Sequence, residues 1–450
     1  MVNKSPYNSR DSSIFLREYK IFKNNYLKFH FYPSKNIRKY FWSNTFFVEY
    51  DKDVHEVSKS MLYIPIVSNL INIAWAIGAD IYVKELDKNY LESLEKIKLI
   101  MEKWYPQLPF STNIYVENVV SNKFDNDEYA LLFSGGIDST FSYYRNKHKR
   151  PNLIMIWGAD IPLTEEQYWK KVKKKYEEWA YEENIKINFI KSNIKNISNT
   201  IFLSSIFGRY LTDYSWWGSF QHSIALIGLC APLTVEKIGT LMIASSYTRE
   251  FKHPWVSHPS IDNKISFGDV RVVHDGYEVS RQQKIRFFSK KSMQGGEKLP
   301  TLRVCYKKFH FFNCNKCEKC ARTIAGLVLE NIDPNKFGFN IDCKFFDSLK
   351  KKLIEDKFTM GEDEVFMWKD IQQHVPEVID HNLYNSKGFF RWLKTFNISR
   401  NINRSLRLRS RHYFVNAIFK VFLIVPEFLK RVFLYINRLL KTMSRILLER

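Results

Sequence analysis

The spacing of apolar and polar residues divides the middle of the chain into alternating strands and helices. Four short apolar runs have the length and composition of strands: 129–133, 153–157, 185–190 and 240–245. The longest helical segment between them, 165–183, has one apolar face made of Trp169, Val172, Tyr176 and Trp179. Strands that alternate with helices predict a parallel sheet with helices on both faces.

The first 120 residues show a similar but less regular pattern. Two helices are predicted, at 57–76 with a break near Pro65 and at 86–104. Strands are predicted at 41–50, 80–84 and 113–119. We therefore expect a small α/β N-terminal domain, followed by a polar linker at about 120–128.

A glycine-rich turn, Ser134-Gly135-Gly136-Ile137-Asp138-Ser139, joins the first central strand to the next helix. Glycines allow the backbone to approach a ligand closely, and free N–H groups at a helix start favour phosphate. Ser134, Ser139 and Thr140 add hydroxyl donors, and Asp138 suits a divalent cation that accompanies phosphates. The commoner phosphate loop ends in Gly-Lys, a pair that this chain lacks.

Two further positions are candidates for nucleotide contacts because ligands of parallel sheets bind at the carboxyl ends of the strands. Asp160 follows the second central strand and Ser245 ends the fourth. His222 lies in an apolar helix predicted at 218–230 and is expected to be structural.

The stretch 249–302 has weak periodicity and is predicted to be an irregular insertion that faces the substrate. It contains several groups suited to substrate binding or acid–base chemistry: His258, Asp262, His274, Asp275 and Arg281.

Four of the six cysteines, Cys305, Cys314, Cys317 and Cys320, follow the spacing C-x8-C-x2-C-x2-C. Thiolates at such spacing converge on a tetrahedral zinc ion, and four cysteine ligands leave no open position for catalysis. The cluster therefore predicts structural zinc, with an iron–sulfur cluster or redox-active thiols as the alternatives.

The glycine-rich turn resembles the SGGxDS loop of the PP-loop ATP pyrophosphatases. Together with the four cysteines it is similar to 7-cyano-7-deazaguanine synthase and its relatives, over about residues 127–335. The resemblance implies that Ser134, Gly135, Gly136, Asp138 and Ser139 bind ATP phosphates and Mg²⁺, with Asp138 and Ser139 as catalytic residues, and that the cysteines bind Zn²⁺. The substrate stays open, because Trp157-Gly158-Ala159-Asp160 stands where those enzymes have Tyr-Gly-Gln.

The expected fold is an α/β, adenine nucleotide alpha hydrolase-like (Rossmann-like) sheet with a zinc-stapled C-terminal part. The expected divisions are an N-terminal domain (1–120), a PP-loop domain (127–335), a helical extension (336–396) and a basic tail (397–450). The expected enzyme cleaves ATP to AMP and pyrophosphate and activates a substrate carboxylate or carbonyl for attack by ammonia or another nucleophile. The alternatives are a PP-loop enzyme that modifies tRNA or transfers sulfur, and a membrane-associated ATP-binding protein without turnover.

The net charge of +22 predicts an anionic partner. Residues 397–450 carry 12 Lys and Arg against two acids, and Phe428 to Leu448 follow a basic amphipathic pattern. Such a helix suits an anionic membrane surface, whereas packing on the protein or a partner and nucleic-acid binding are the alternatives. No signal peptide or membrane span is expected, so the predicted location is the cytoplasm or the inner face of the membrane.

Overall fold

In a computed structural model of the chain, the described residues are 12–295, 299–306 and 311–402. They form an α/β structure in which one twelve-stranded sheet is flanked by helices. The strands of the described residues are β1 (Ser13–Leu16), β2 (Lys20–Phe22), β3 (Tyr26–Pro33), β4 (Thr45–Tyr50), β5 (Asp80–Asp87), β6 (Ile114–Val120), β7 (Glu128–Leu132), β8 (Asn152–Trp157), β9 (Ile187–Ser192), β10 (Ile238–Ala244), β11 (Ser266–Phe267) and β12 (Val270–Asp275).

Helices alternate with these strands and continue beyond the last one. They are α1 (Lys59–Leu62), α2 (Ile64–Ile77), α3 (Lys88–Trp104), α4 (Ile137–Arg145), α5 (Glu166–Glu182), α6 (Thr200–Phe207), α7 (His222–Leu229), α8 (Pro259–Asp262), α9 (Arg281–Gly295), α10 (Glu318–Leu329), α11 (Phe345–Ile354), α12 (Glu362–His374) and α13 (Lys387–Thr395). None of the helices in this part of the chain combines the length and apolar character needed to cross a bilayer.

The strand order is β11-β12-β10-β7-β8-β9-β4-β3-β1-β5-β6, with β2 beside β3. The run β12-β10-β7-β8-β9 is parallel throughout, as the alternation of strands and helices predicts. From β7 the chain proceeds through β8 to β9 on one side, and then returns to place β10 and β12 on the other. The carboxyl ends of β7 and β10 therefore border a topological switch point, where ligands of such sheets bind.

The apolar patterns explain how the helices pack. The predicted apolar face of α5 is buried, and Trp179 stacks on Phe133 just beyond β7 with ring centres 5.5 Å apart. The predicted break near Pro65 is confirmed: Pro65 lies in the first turn of α2, where a residue without an N–H costs no helical hydrogen bond. All residues of α2 are buried, and Gly78 ends the helix at a φ of 66°.

Two features differ from the sequence-based expectation. The segment 249–302 is not irregular, because it contributes β12, an inner strand of the sheet, and the helix α9. The N-terminal strands also continue the central sheet, since β4 pairs antiparallel with β9 through Val48 and Ser192. The described residues up to Ile402 form one compact unit, so the division at 120–127 stays a prediction. The predicted amphipathic segment 428–448 lies outside the described residues.

Candidate functional site

The glycine-rich turn lies between β7 and α4 at the switch point of the sheet. Gly135 has a φ of 76°, which L side chains rarely adopt. A Cβ on Gly135 would lie 1.8 Å from the Tyr176 hydroxyl oxygen, because that side chain of α5 packs directly on the loop. The loop conformation therefore requires glycine at this position for both backbone and steric reasons.

Hydroxyl groups hold the loop together from within. The Ser134 N–H donates to Ser139 Oγ at 3.2 Å, and the Gly136 N–H donates to Ser134 Oγ at 3.3 Å. Thr140 is buried, and its Oγ1 has no hydrogen-bond partner among the described residues. Of the three predicted hydroxyl donors, Ser134 and Ser139 thus accept hydrogen bonds within the loop. The buried Thr140 Oγ1 makes no hydrogen bond with the described residues.

The N-terminus of α4 opens toward the switch point without a side-chain cap. Gly136 occupies the N-cap position and has no side chain that could cap the first turn. Uncapped N–H groups and the positive end of the helix dipole favour an anion. The nine-residue helix α4 therefore has the features expected of the predicted phosphate site.

Asp138, in the first turn of α4, is ion-paired with two cations of α9. Its carboxylate lies 2.7 Å from Arg281 Nη1 and 3.3 Å from Lys284 Nζ. Burial alone raises the pKa of Asp138, but the charges of Arg281 and Lys284 outweigh it and lower the pKa below the ordinary value. The carboxylate is thus ionised and neutralises part of a cationic cluster.

Lys284 connects the loop to the end of β10. Its Nζ donates to the backbone oxygen of Ser245 at 2.6 Å, while the Ser245 hydroxyl donates to the Tyr247 carbonyl oxygen at 2.7 Å. Only 1% of the Lys284 side chain is exposed, and burial lowers its pKa despite the neighbouring Asp138. The backbone oxygen of Ser245 therefore contacts the cationic cluster and its hydroxyl does not, while its predicted contact with nucleotide stays a prediction.

Arg303 brings a third buried cation to the other side of the loop. Its backbone N–H donates to the Gly135 carbonyl oxygen at 2.7 Å, and its Nε donates to the Ser134 carbonyl oxygen at 3.1 Å. Its Nη2 lies 3.5 Å from Asp160. Burial raises the pKa of Asp160, but the positive charges of Arg303 and Lys195 outweigh it and lower the pKa overall.

The four clustered cysteines lie directly beyond Arg303. Their sulfur atoms are all within 4.8 Å of one another; Cys305 and Cys317 are 4.0 Å apart, and Cys314 and Cys320 are 3.9 Å apart. A tetrahedron with zinc–sulfur bonds of about 2.3 Å has sulfur–sulfur edges of about 3.8 Å. The cluster can therefore hold a metal ion and is compatible with zinc, and α10 begins within it because Cys317 is its N-cap.

The remaining candidates of segment 249–302 do not all face the loop. His274 Nδ1 is 2.7 Å from a carboxylate oxygen of Asp262, and both side chains are fully buried. His258 contacts the Tyr277 hydroxyl at 3.0 Å. Asp275 accepts a hydrogen bond of 2.6 Å from Ser142 of α4. Of the five groups, Arg281 is the one in direct contact with a residue of the loop.

Sequence reasoning did not identify Lys284, Arg303 or Lys195 as parts of the site. Lys284 lies 146 positions from Asp138, and a lone lysine in a polar stretch carries no local signal. The sequence did offer one signal for Arg303, which is its position two residues before the first clustered cysteine. A bound metal ion would hold the neighbouring backbone in place, so a cation at that position could be presented to a site.

Comparisons with protein-family models, curated proteins and solved structures give no match for this chain. The resemblance to the PP-loop ATP pyrophosphatases therefore stays an expectation drawn from the sequence of the loop Ser134–Ser139 and the cysteine spacing.

Proposed function

We propose that this protein is an enzyme of the PP-loop ATP pyrophosphatase type, which cleaves ATP to AMP and pyrophosphate and transfers AMP to an acceptor oxygen. The observation that carries the proposal is the uncapped N-terminus of α4 at the switch point, with Arg281, Lys284 and Arg303 buried around it. The strand order around this point, β9-β8-β7-β10-β12, supports an adenine nucleotide alpha hydrolase-like fold, since doubly wound nucleotide-binding sheets have the same order.

The charges of the site suit a departing pyrophosphate. Arg281 and Lys284 lie against Asp138, and Arg303 lies against Asp160, so buried cations stand on two sides of the loop. Oriented N–H groups and cations in a site of low dielectric stabilise negative charge that develops during phosphoryl transfer. The acceptor oxygen forms a bond to the α-phosphorus as the bond to the bridging oxygen breaks, and pyrophosphate leaves with the electron pair.

Asp138 has a role that depends on the ligand. Without nucleotide its carboxylate is the partner of Arg281 and Lys284. Phosphate oxygens would compete with the carboxylate for these cations, because Arg and Lys form charge-assisted hydrogen bonds to phosphate as they do to carboxylate. Asp138 then becomes available to hold the Mg²⁺ that accompanies the phosphates.

The cysteine cluster is proposed to hold structural zinc. All four ligand positions are filled by Cys305, Cys314, Cys317 and Cys320, which leaves no position for a substrate. The metal would fix the segment that presents Arg303 to the loop, since Cys305 follows Arg303 by two residues.

The proposal is tested by incubating the purified full-length chain with α-³²P-labelled ATP, Mg²⁺ and a panel of carboxylic acids, with ammonia present or absent. AMP that forms only when an acid is added supports the enzyme. Asp138→Ala should abolish this AMP, whereas Asp125→Ala, at a side chain that is 77% exposed, should not change it. ATP binding without AMP from any acid would favour an ATP-binding protein without turnover.

A further inference from the structure

The N-terminal strands β1 to β6 leave one face of their part of the sheet open to solvent. Along β3 and β4 the side chains alternate between buried and more exposed positions. The buried side includes Leu27, Phe29 and Phe31, whereas Phe15 of β1 and Tyr32 of β3 are 46% and 41% exposed. Such alternation is typical of a sheet with one packed and one solvated face. The solvated side of β1 to β6 is the open face.

Four aromatic side chains form a row across the open face, one from each of four neighbouring strands. Tyr32, Phe15, Tyr82 and Tyr115 lie opposite one another in the registers of β3, β1, β5 and β6. The Phe15 and Tyr82 rings stack with their centres 4.5 Å apart, and the Tyr82 and Tyr115 rings stack at 4.7 Å. Tyr115 is 48% exposed, and β6 is the outermost strand of the described sheet. The row therefore ends in a ring that solvent can reach.

A second group of rings lies at the other end of β3, on the same face. Tyr26 stacks on Phe47 of β4 at 5.4 Å and meets Phe22 of β2 edge-on at 6.0 Å. Phe22 is 46% exposed. The exposed and half-buried apolar side chains that β1 to β5 place on the open face are thus all aromatic. Flat rings of this kind can stack on nucleic-acid bases.

Three cations lie between the two groups of rings, and none of them has an acidic ion-pair partner among the described residues. Arg17 follows β1, and its guanidinium carbon is 4.5 Å from the centre of the Tyr32 ring. Lys20 of β2 and Lys28 of β3 are directly opposite each other. Side chains at such positions are about 5 Å apart, and like charges there destabilise a sheet. An anion that binds between the two ammonium groups would relieve this repulsion.

The charge of this part of the chain favours an anionic partner. Residues 12–50 contain seven Lys and Arg against two acids. Those acids, Glu18 and Glu49, pair with Lys84 and Lys191. The other acids of the open face lie on β5 and β6. Unpaired cations beside exposed rings are the combination that binds single-stranded nucleic acid, because the cations attract phosphates while the rings stack on bases.

We propose that the open face of β1 to β6 binds a single-stranded segment of RNA. Arg17, Lys20 and Lys28 contact its phosphates, while the exposed rings of Phe22 and Tyr115 stack on its bases. The tyrosine hydroxyls of the aromatic row hydrogen-bond to the ribose 2′-hydroxyl, a group that RNA has and DNA lacks. This binding requires neither ATP nor the cysteine cluster.

The test measures binding of the full-length protein to a fluorescein-labelled oligouridine dodecamer and to an oligothymidine DNA of the same length. Fluorescence anisotropy is recorded at several salt concentrations without ATP. We expect the RNA to bind several-fold more tightly than the DNA. The double variant Lys20→Met/Lys28→Met should weaken RNA binding about 10-fold. It should also reduce the slope of log affinity against log salt by about 1.4, because each phosphate contact of a single strand contributes about 0.7.

Matched variants separate this face from the general positive charge of the chain. Lys170→Met/Lys174→Met removes the same charge from α5, at side chains that are 62% and 79% exposed, and should leave RNA binding nearly unchanged. Phe22→Ala should weaken RNA binding about 5-fold or more, because it removes a ring that stacks on a base. Tyr181→Ala, at a residue of α5 that is 88% exposed, should not change it.

Thermal melting shows whether lost binding comes from unfolding. Lys20→Met should melt at the same temperature as the wild type or higher, because it removes the repulsion with Lys28. Equal RNA affinity of the two double variants would overturn the proposal, and equal binding of RNA and DNA to the wild type would overturn the assignment to RNA. Anionic liposomes that lose binding to Lys20→Met/Lys28→Met while RNA does not would assign the face to a membrane instead. Failure of the proposed ATP chemistry leaves these results interpretable, because no ATP is added.

Discussion

The backbone N–H of Arg303 donates a hydrogen bond of 2.7 Å to the carbonyl oxygen of Gly135. This bond joins the glycine-rich loop to the chain segment that enters the cysteine cluster, since Cys305 is two residues further on. The state of the cysteine cluster should therefore affect the glycine-rich loop through Arg303.

Loss of the metal should weaken nucleotide binding. Cys305→Ser removes a buried ligand, and we expect the zinc content to fall from about one per chain, with a loss of at least about 10-fold in affinity for a non-hydrolysable ATP analogue. Zinc is measured by elemental analysis and affinity by titration. Cys343→Ser, at an exposed cysteine outside the cluster, is the control and should change neither quantity. Iron in the wild-type protein would exclude the zinc assignment.

Gly135→Ala should destabilise the protein. The substitution places a Cβ 1.8 Å from the Tyr176 hydroxyl at a backbone φ of 76°. Backbone strain and overpacking predict a loss of at least about 2 kcal/mol in the free energy of unfolding, measured by urea denaturation. Gly388→Ala is the matched control, because a Cβ there meets no atom within 4 Å and alanine favours the helix α13. Equal stability of the two variants would contradict the described loop geometry.

The ion pairs of Asp138 should make stability depend on pH. Because the folded pKa of Asp138 lies below its ordinary value of 3.8, ionised Asp138 stabilises the fold above that value. This contribution is lost as the pH falls through the folded pKa. Asp138→Asn should therefore cost about 3 kcal/mol at pH 7, since it leaves Arg281 and Lys284 buried without a counter-charge.

The measurement compares urea unfolding of the wild type and Asp138→Asn at several pH values between 7 and 3. The difference between them should shrink below about pH 4, where Asp138 of the unfolded chain begins to take up a proton that the ion-paired carboxylate of the folded protein does not yet bind. A difference that is constant with pH would show that the carboxylate charge is not responsible. Asp125→Asn, at an exposed side chain, should stay within about 0.5 kcal/mol of the wild type throughout.

The basic C-terminal segment should be removable without loss of the folded body. Ile398 and Asn401 are buried, and Asn401 Nδ2 donates to the Leu353 carbonyl oxygen at 2.8 Å. A truncated chain should therefore keep these residues and end after Ile402. A chain that ends at Ile402 should melt like the full-length protein but lose flotation with anionic liposomes. Equal flotation of both chains would contradict membrane binding by the tail.

Local patterns were sufficient to predict four of the five strands in the parallel run. The strands β7, β8, β9 and β10 lie within two residues of the predicted runs, because most of their residues are apolar and buried. The glycine-rich loop was predictable for the same reason: its position follows from the strand before it and the helix after it.

The strand β12 was missed because its sequence, VRVVHD, mixes charged and apolar residues. It is an inner strand whose exposed Arg271 side chain donates to Thr240 of β10 at 3.0 Å, a contact that only the folded sheet provides. The cations Lys284 and Arg303 were missed for a related reason: their partners in the loop are more than 140 positions away in the chain. Long-range pairing of single residues leaves no periodic signal in one sequence.

The antiparallel pairing of β4 with β9 has a consequence for any attempt to isolate the half of the molecule that contains the glycine-rich loop. Pairs such as Tyr50 with Ile190 satisfy the outer edge of β9, and the Ser192 hydroxyl donates to the Phe47 carbonyl oxygen at 2.7 Å. A fragment that begins at residue 127 would expose this edge as a row of unpaired backbone groups beside apolar side chains. Such edges promote aggregation, so the N-terminal strands protect this edge, and the solubility of the half that contains the glycine-rich loop depends on them.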